Sequence, residues 1–150
     1  MKKLIAITLA CSASAVLFFA CKKSSSSPTA TDTMSATISS KAFTANSISD
    51  NISFSSGDSI LYITGLDTVS GHEVVLEVLN YKHSTGTFPI DSTSVAAADY
   101  YSSASLGSYS YATTGQIILS QIVPTIKGTF YFTTADTTVI TAGTFTAPTL

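Results

Sequence analysis

The sequence contains no arginine; all seven of its cations are lysines. Phosphate and nucleic-acid recognition lean on bidentate arginine contacts. With a formal net charge of only −2, that absence argues against a nucleic-acid partner. Cysteine is nearly as scarce. Cys11 and Cys21 both precede the region of regular patterning, so the domain has no internal disulfide framework. There is no His-x-His pair, no Gly-x-Ser-x-Gly elbow and no Asp-x-Asp-x-Asp-Gly calcium loop. No stretch beyond the amino terminus sustains a helical period. These absences remove the commonest metal, acyl-transfer and helical-bundle readings.

What is present is serine and threonine, together roughly a third of the chain and well above average usage. Threonine suits the exposed face of a strand, where its β-branched side chain packs on the pleat. The length fits one domain.

The first twenty residues stand apart. Lys2 and Lys3 form a positive start, residues 4–20 are apolar apart from Thr8, Cys11, Ser12 and Ser14, and polarity changes abruptly at Cys21-Lys22-Lys23. A charged start, an apolar stretch and a small residue before the break describe an export signal. The apolar run is short of the ~20 residues a spanning helix needs, which favours cleavage over an uncleaved anchor. Phe18-Phe19-Ala20-Cys21 resembles the lipobox of bacterial lipoproteins, in which the cysteine after a small residue becomes the acylated amino terminus. Ala20 and Cys21 match, whereas Phe18 and Phe19 depart from the usual leucine and small residue. The expected division is residues 1–20 as signal peptide, 21–34 as acylated Cys21 with a flexible Ser/Thr/Pro linker, and 35–150 as a single β domain. A linker of about a dozen residues reaches on the order of 20 Å.

Beyond residue 35, short apolar alternations are broken by Gly, Asp, Ser and Asn, the pattern of consecutive antiparallel strands. Residues 35–45 read as two short strands, and Ile52 and Phe54 belong to a third that ends at Ser55-Ser56-Gly57-Asp58. Residues 59–66 are apolar on both parities and read as a central strand buried on both faces. Residues 73–81 place Val74, Leu76 and Val78 on one face and Glu73 and Glu77 on the other. Residues 86–90 form a short strand whose Pro89 demands an edge. Residues 91–107 are the least regular, with a single helical turn expected at Val95-Ala96-Ala97-Ala98. Residues 109–113 and 116–123 are strand-like around a bend at Thr114-Gly115. In the last hairpin Ile126, Phe130 and Phe132 share one parity, Val139 and Phe145 share one on the return, and residues 135–138 turn. Three Gly-Thr-Phe triplets, at Gly86, Gly128 and Gly143, read as places where the sheet curls. The expected fold is all-β, an antiparallel meander of about eight or nine strands forming a β-sandwich or a curled barrel.

Residues 35–45, residues 114–119 (Thr-Gly-Gln-Ile-Ile-Leu), residues 127–132 (Lys-Gly-Thr-Phe-Tyr-Phe) and Gly143-Thr144-Phe145, set behind a signal and a Ser-rich spacer, resemble small lipoproteins of unknown function from Bacteroidota. The resemblance covers nearly the whole chain and implies the β architecture and a membrane tether, with no catalytic residues to carry over. Such relatives tend to have an Asn-Gly-like pair where this chain has Ser39-Ser40, so the first turn lacks the residues that tolerate positive φ. The resemblance also implies that acidic residues after the acylated cysteine favour export to the surface. Lys22 and Lys23 instead suggest an outer-membrane anchor facing the periplasm.

His72 stands at the start of a strand and His83 in a turn, and both read as exposed turn histidines rather than metal ligands. Glu73 and Glu77 lie about 13 Å apart by strand rise, too far to act as a hydrolytic pair. Asp50, Asp58, Asp67 and Asp136 fit turns, where a carboxylate bonds nearby backbone. No catalytic residue, metal or cofactor is expected. The remaining candidates are Tyr100, Tyr101, Tyr109 and Tyr111, whose amphipathic rings suit contact with a glycan or an envelope protein. Their structural alternative is that Tyr109 and Tyr111 pave one strand face while Tyr100 plugs the sheet end. The reading is a lipid-anchored envelope protein with a non-enzymatic binding or structural β domain. The alternatives are a glycan-contacting accessory protein using residues 100–111, or a small envelope hydrolase.

Overall fold

The computed structural model describes residues 32–55, 58–92, 95–103 and 109–148. The expected signal segment, Cys21 and all but the last three linker residues lie outside the described residues, as do Ser56 and Gly57. Ten antiparallel strands form one sheet curled into a half-barrel. They are β1 (Thr33–Ile38), β2 (Lys41–Thr44), β3 (Ser47–Ser55), β4 (Asp58–Asp67), β5 (His72–Leu79), β6 (Gly86–Ile90), β7 (Ala96–Tyr101), β8 (Tyr109–Gln121), β9 (Ile126–Thr134) and β10 (Val139–Ala147). Across the sheet the order is β2-β1-β10-β9-β8-β7-β5-β4-β3, with β6 paired to β8 off this path. The first strand opens at Thr33, two residues before the expected boundary.

One face of this sheet is the core. In β5, Val74, Leu76 and Val78 are buried while Glu73, Val75 and Glu77 are half-buried. In β9, Ile126, Phe130 and Phe132 point inward between exposed Lys127, Thr129 and Tyr131. The period of two dictates this alternation once one face excludes water. The curl is tight enough that Met34 of β1 packs against Gly65 of β4 across the interior. A Cβ on Gly65 would stand 3.0 Å from the Met34 Cβ. Between β2 and β3, Asn46 extends the β3–β4 pairing: its N–H donates to the Leu66 carbonyl (3.0 Å), and its Oδ1 accepts from the Thr68 N–H (3.0 Å).

The 13-residue β8 links the two halves. Its first residues pair with β7, Tyr109 opposite Tyr101, and its later ones with β6, Gly115 opposite Ile90. The expected bend at Thr114-Gly115 therefore falls inside one continuous strand. Gly115 has φ of 150°, and a Cβ there would lie 2.6 Å from the Phe132 Cα, so only glycine fits where β9 crosses the change of partner. Pro89 lies in β6, whose one partner on the sheet is β8, in keeping with the expected edge.

Four expectations are corrected. Residues 95–98 form no helical turn. Ala96 and Ala98, 2% and 1% exposed, lie in β7 against β5, where pairing and burial override alanine's helical preference. Within residues 59–67 of β4 only Leu61, Ile63 and Gly65 are fully buried, while Ile60, Tyr62, Thr64 and Leu66 are half-buried, since a half-barrel has no second layer over its outer face. Val139 is exposed although it shares parity with buried Phe145. The register shifts between Ile140 and Gly143, with Ala142 at φ 50°, and this irregularity turns Ile140 inward instead. Asp50 is no turn residue. It pairs with Ile63 in mid-β3, half-buried, and burial followed by the charge of Asp32 pushes its carboxyl above the ordinary value.

Candidate functional site

The four tyrosines singled out by sequence divide between two places. In β7, burial alternates Ala96, Ala98 and Tyr100 inward and Ala97, Asp99 and Tyr101 outward. Pairing with β8 then sets Tyr101 opposite Tyr109 and Asp99 opposite Tyr111. The Tyr101 and Tyr109 rings stack, with centroids 5.6 Å apart and planes 29° from parallel. Tyr109 is 62% and Tyr111 58% exposed, so the rings stand open on the outer face.

Neighbouring strands complete this face. Glu73 lies opposite Tyr101, Val75 opposite Asp99, and Glu77 opposite Ala97, with Tyr62 of β4 on the other side of Glu77. Asp99 is thus a diagonal neighbour of Glu77, within about 7–8 Å by sheet geometry. Burial, and then the charge of Asp99, raises the Glu77 carboxyl above its ordinary value; burial raises Asp99. Burial and the nearby carboxylates of Asp99 and Glu73 raise the Tyr101 phenol. The result is a sheet surface of stacked rings interleaved with carboxylates. Sequence reasoning found the rings but missed the Glu77–Asp99 juxtaposition, because β5 pairs with β7 and skips β6.

Tyr100 points the other way. It is buried, and its hydroxyl lies 3.1 Å from His72 Nδ1, the rings meeting edge to face at 5.8 Å. His72 is therefore a half-buried partner of Tyr100 rather than an exposed turn histidine, whereas His83 is exposed, at φ 52°. Tyr100 and His72 line a cleft of about 350 Å³ at one end of the half-barrel, together with Lys41, Asp67, Ser70 and Asp136. The two aspartates are held by their own turns, as expected for them. Asp67 accepts from the Ser70 hydroxyl (2.5 Å) and the Val69 N–H (3.0 Å), which lowers its pKa. Asp136 accepts from the Thr134 hydroxyl (2.5 Å) and the Thr138 N–H (3.2 Å) and is lowered to about 2. A shallow groove of about 300 Å³ over β8, β9 and β10 is lined by Ile118, Thr129, Tyr131 and Thr144.

Neither Glu77 nor Asp99 borders the cleft or the groove. Among the described residues no group of three or more His, Cys, Asp or Glu could hold a metal ion. What the tyrosine face offers chemically is flat apolar area for stacking beside acceptors for hydroxyl or ammonium donors.

A family described as a domain of unknown function (DUF6252) has a model that matches residues 30–147. The chain belongs to that family. No curated protein and no solved structure matches it. The match to DUF6252 begins three residues before β1 and ends with the last residue of β10, so the family unit coincides with the half-barrel. In this DUF6252 domain the outer tyrosine face and the end cleft lie toward the same end, since Tyr101 is followed by Ser102 of the cleft lining.

Proposed function

We propose that this protein is a lipid-anchored component of the bacterial cell envelope whose DUF6252 domain is a non-enzymatic binding module, contacting a glycan through Tyr101, Tyr109 and Tyr111. The observation that carries the binding reading is the stacked Tyr101–Tyr109 pair, left open to solvent beside Tyr111. Exposed aromatic rings in a fixed array carry a desolvation advantage for a ligand with a flat apolar face, and tyrosine loses little conformational freedom on contact.

The anchor rests on the sequence. Cleavage between Ala20 and Cys21 would expose the cysteine for acylation, and more than one acyl chain gives stable attachment where a single chain is marginal. The location that follows is the outer membrane, with Lys22 and Lys23 favouring the periplasmic side. Strand direction agrees with a presenting role. The chain enters β1 at Thr33, while Ile38 at its other end lines the end cleft, toward the end where Tyr101 and Tyr109 pair. A tether at Thr33 would leave the tyrosines on the membrane-distal side.

The test is affinity electrophoresis of the full chain through gels containing a panel of neutral, acidic and amino polysaccharides. Retardation by at least one, lost in Tyr109→Ala and Tyr111→Ala but kept in Tyr131→Ala, is the expected result. Equal mobility in every gel would overturn the glycan reading.

A further inference from the structure

We propose that the glycan taken by the outer tyrosine face is positively charged, an amino-sugar chain with free amines whose rings lie on Tyr101, Tyr109 and Tyr111 and whose ammonium groups sit among Glu73, Glu77 and Asp99. This inference rests on the glycan reading above and narrows it to one class of sugar.

The sheet register supplies the geometry. Along one row run Glu73, Tyr101 and Tyr109; along the next run Val75, Asp99 and Tyr111; along the third run Tyr62, Glu77 and Ala97. Every ring therefore has a carboxylate beside it or diagonal to it. The outer positions of β3, β4, β5 and β7 include no lysine. Of the three lysines in the described residues, Lys41 lines the end cleft, Lys82 follows β5 at the end away from Glu73, and Lys127 lies in β9. Among the described residues, no lysine is interleaved with the carboxylates of this face.

Charge complementarity then ranks the ligands. An acidic glycan would meet three carboxylates and be repelled. A neutral one would stack on the rings but further desolvate Glu77, already raised by burial and the charge of Asp99, and Asp99, already raised by burial. An ammonium group offsets that repulsion, donates hydrogen bonds to the carboxylates and gains from the tyrosine faces.

The experiment titrates the full chain in detergent, by calorimetry at about pH 6 where an amine is protonated. The probes are a glucosamine hexamer, an N-acetylglucosamine hexamer, a hexauronate and a hexalysine peptide. The expected result is that the glucosamine hexamer binds about tenfold or more tightly than its acetylated counterpart and than the peptide. Tyr109→Ala should abolish its binding. Glu77→Gln with Asp99→Asn should erase the difference between the two hexamers. Equal affinity for the two hexamers, both lost in Tyr109→Ala, overturns this inference and leaves the glycan reading standing. Hexalysine binding as tightly as the glucosamine hexamer, or glucosamine binding that survives Tyr109→Ala, shows attraction by charge alone and also overturns it. Binding of the hexauronate alone contradicts it directly. Silence from all four probes sinks both this inference and the reading on which it rests.

Discussion

The Phe145 ring of β10 lies over Gly128 of β9, its direct cross-strand partner, in the space a Cβ on that glycine would fill. The relation is reciprocal. Phe130 of β9 lies over its own partner Gly143, where an added Cβ would stand 2.6 Å from the ring. Two of the three Gly-Thr-Phe triplets thus fit together as an antiparallel pair, each glycine making room for the other's aromatic ring. The two rings lie 6.3 Å apart in the core. The third triplet is different: Gly86 has only its own neighbour Phe88 nearby, at 3.5 Å.

Replacing a strand glycine by alanine often stabilises, because it removes freedom from the unfolded chain. Here the sign reverses. Gly128→Ala and Gly143→Ala should each lower stability by about 1–3 kcal/mol through overpacking, while Gly86→Ala changes it little. Phe130→Ala should cost about 3–5 kcal/mol. Urea unfolding of the four variants checks the order.

Ser39 and Ser40 join β1 to β2 with both residues at positive φ, 46° and 72°. That is the backbone of a two-residue hairpin turn for which Asn-Gly is the favoured pair, and an L residue there is strained by about 1–2 kcal/mol. The turn is thus a tight one made without the residues that tolerate positive φ. The double substitution Ser39→Asn with Ser40→Gly should therefore raise the melting temperature by several degrees, read by circular dichroism. An unchanged or lower Tm would mean that the serines are held without strain.

Much of this fold was legible, and the misses have physical causes. Val74, Leu76 and Val78 alternating with Glu73 and Glu77 announced a one-sided strand, and Pro89 announced an edge. Ala96 and Ala98 misled because alanine's local preference is helical while a crowded half-barrel interior wants small side chains. Val139 misled because parity holds only until a strand is irregular. For the site, the rings were visible as residues, but which faced outward depended on reading residues 96–101 as a strand. The Glu77–Asp99 juxtaposition depends on a pairing that skips a strand, which no local pattern reports.

The carboxylates divide by sign. Asp136 is lowered from 3.8 to about 2 by the Thr134 hydroxyl and the Thr138 N–H. A depressed folded pKa contributes stability that is complete above the unfolded value and lost as pH falls through the folded one. Asp136→Asn should therefore cost stability at about pH 7, and the difference from wild type should disappear toward about pH 2. Glu77 and Asp99 are raised, chiefly by burial, so their ionisation opposes folding and acidification relieves it. Glu77→Gln should stabilise at about pH 7 and lose its advantage below about pH 4. Unfolding midpoints across a pH series read both trends.

Cys21, outside the described residues, carries the anchor proposal alone. Cys21→Ser should accumulate as an uncleaved, unlipidated precursor, and mass spectrometry of the wild-type amino terminus should find acylated Cys21. Mature Cys21→Ser protein partitioning with membranes would contradict the assignment.

The most direct test of the binding surface is ring-labelled tyrosine NMR of the full chain in detergent, titrated with glucosamine and N-acetylglucosamine hexamers. Saturable shifts of the Tyr101, Tyr109 and Tyr111 ring signals are expected, with the buried rings of Tyr81 and Tyr100 unmoved. Shifts confined to Tyr100 or Tyr131, or no shift in any ring, would contradict binding at the outer tyrosine face.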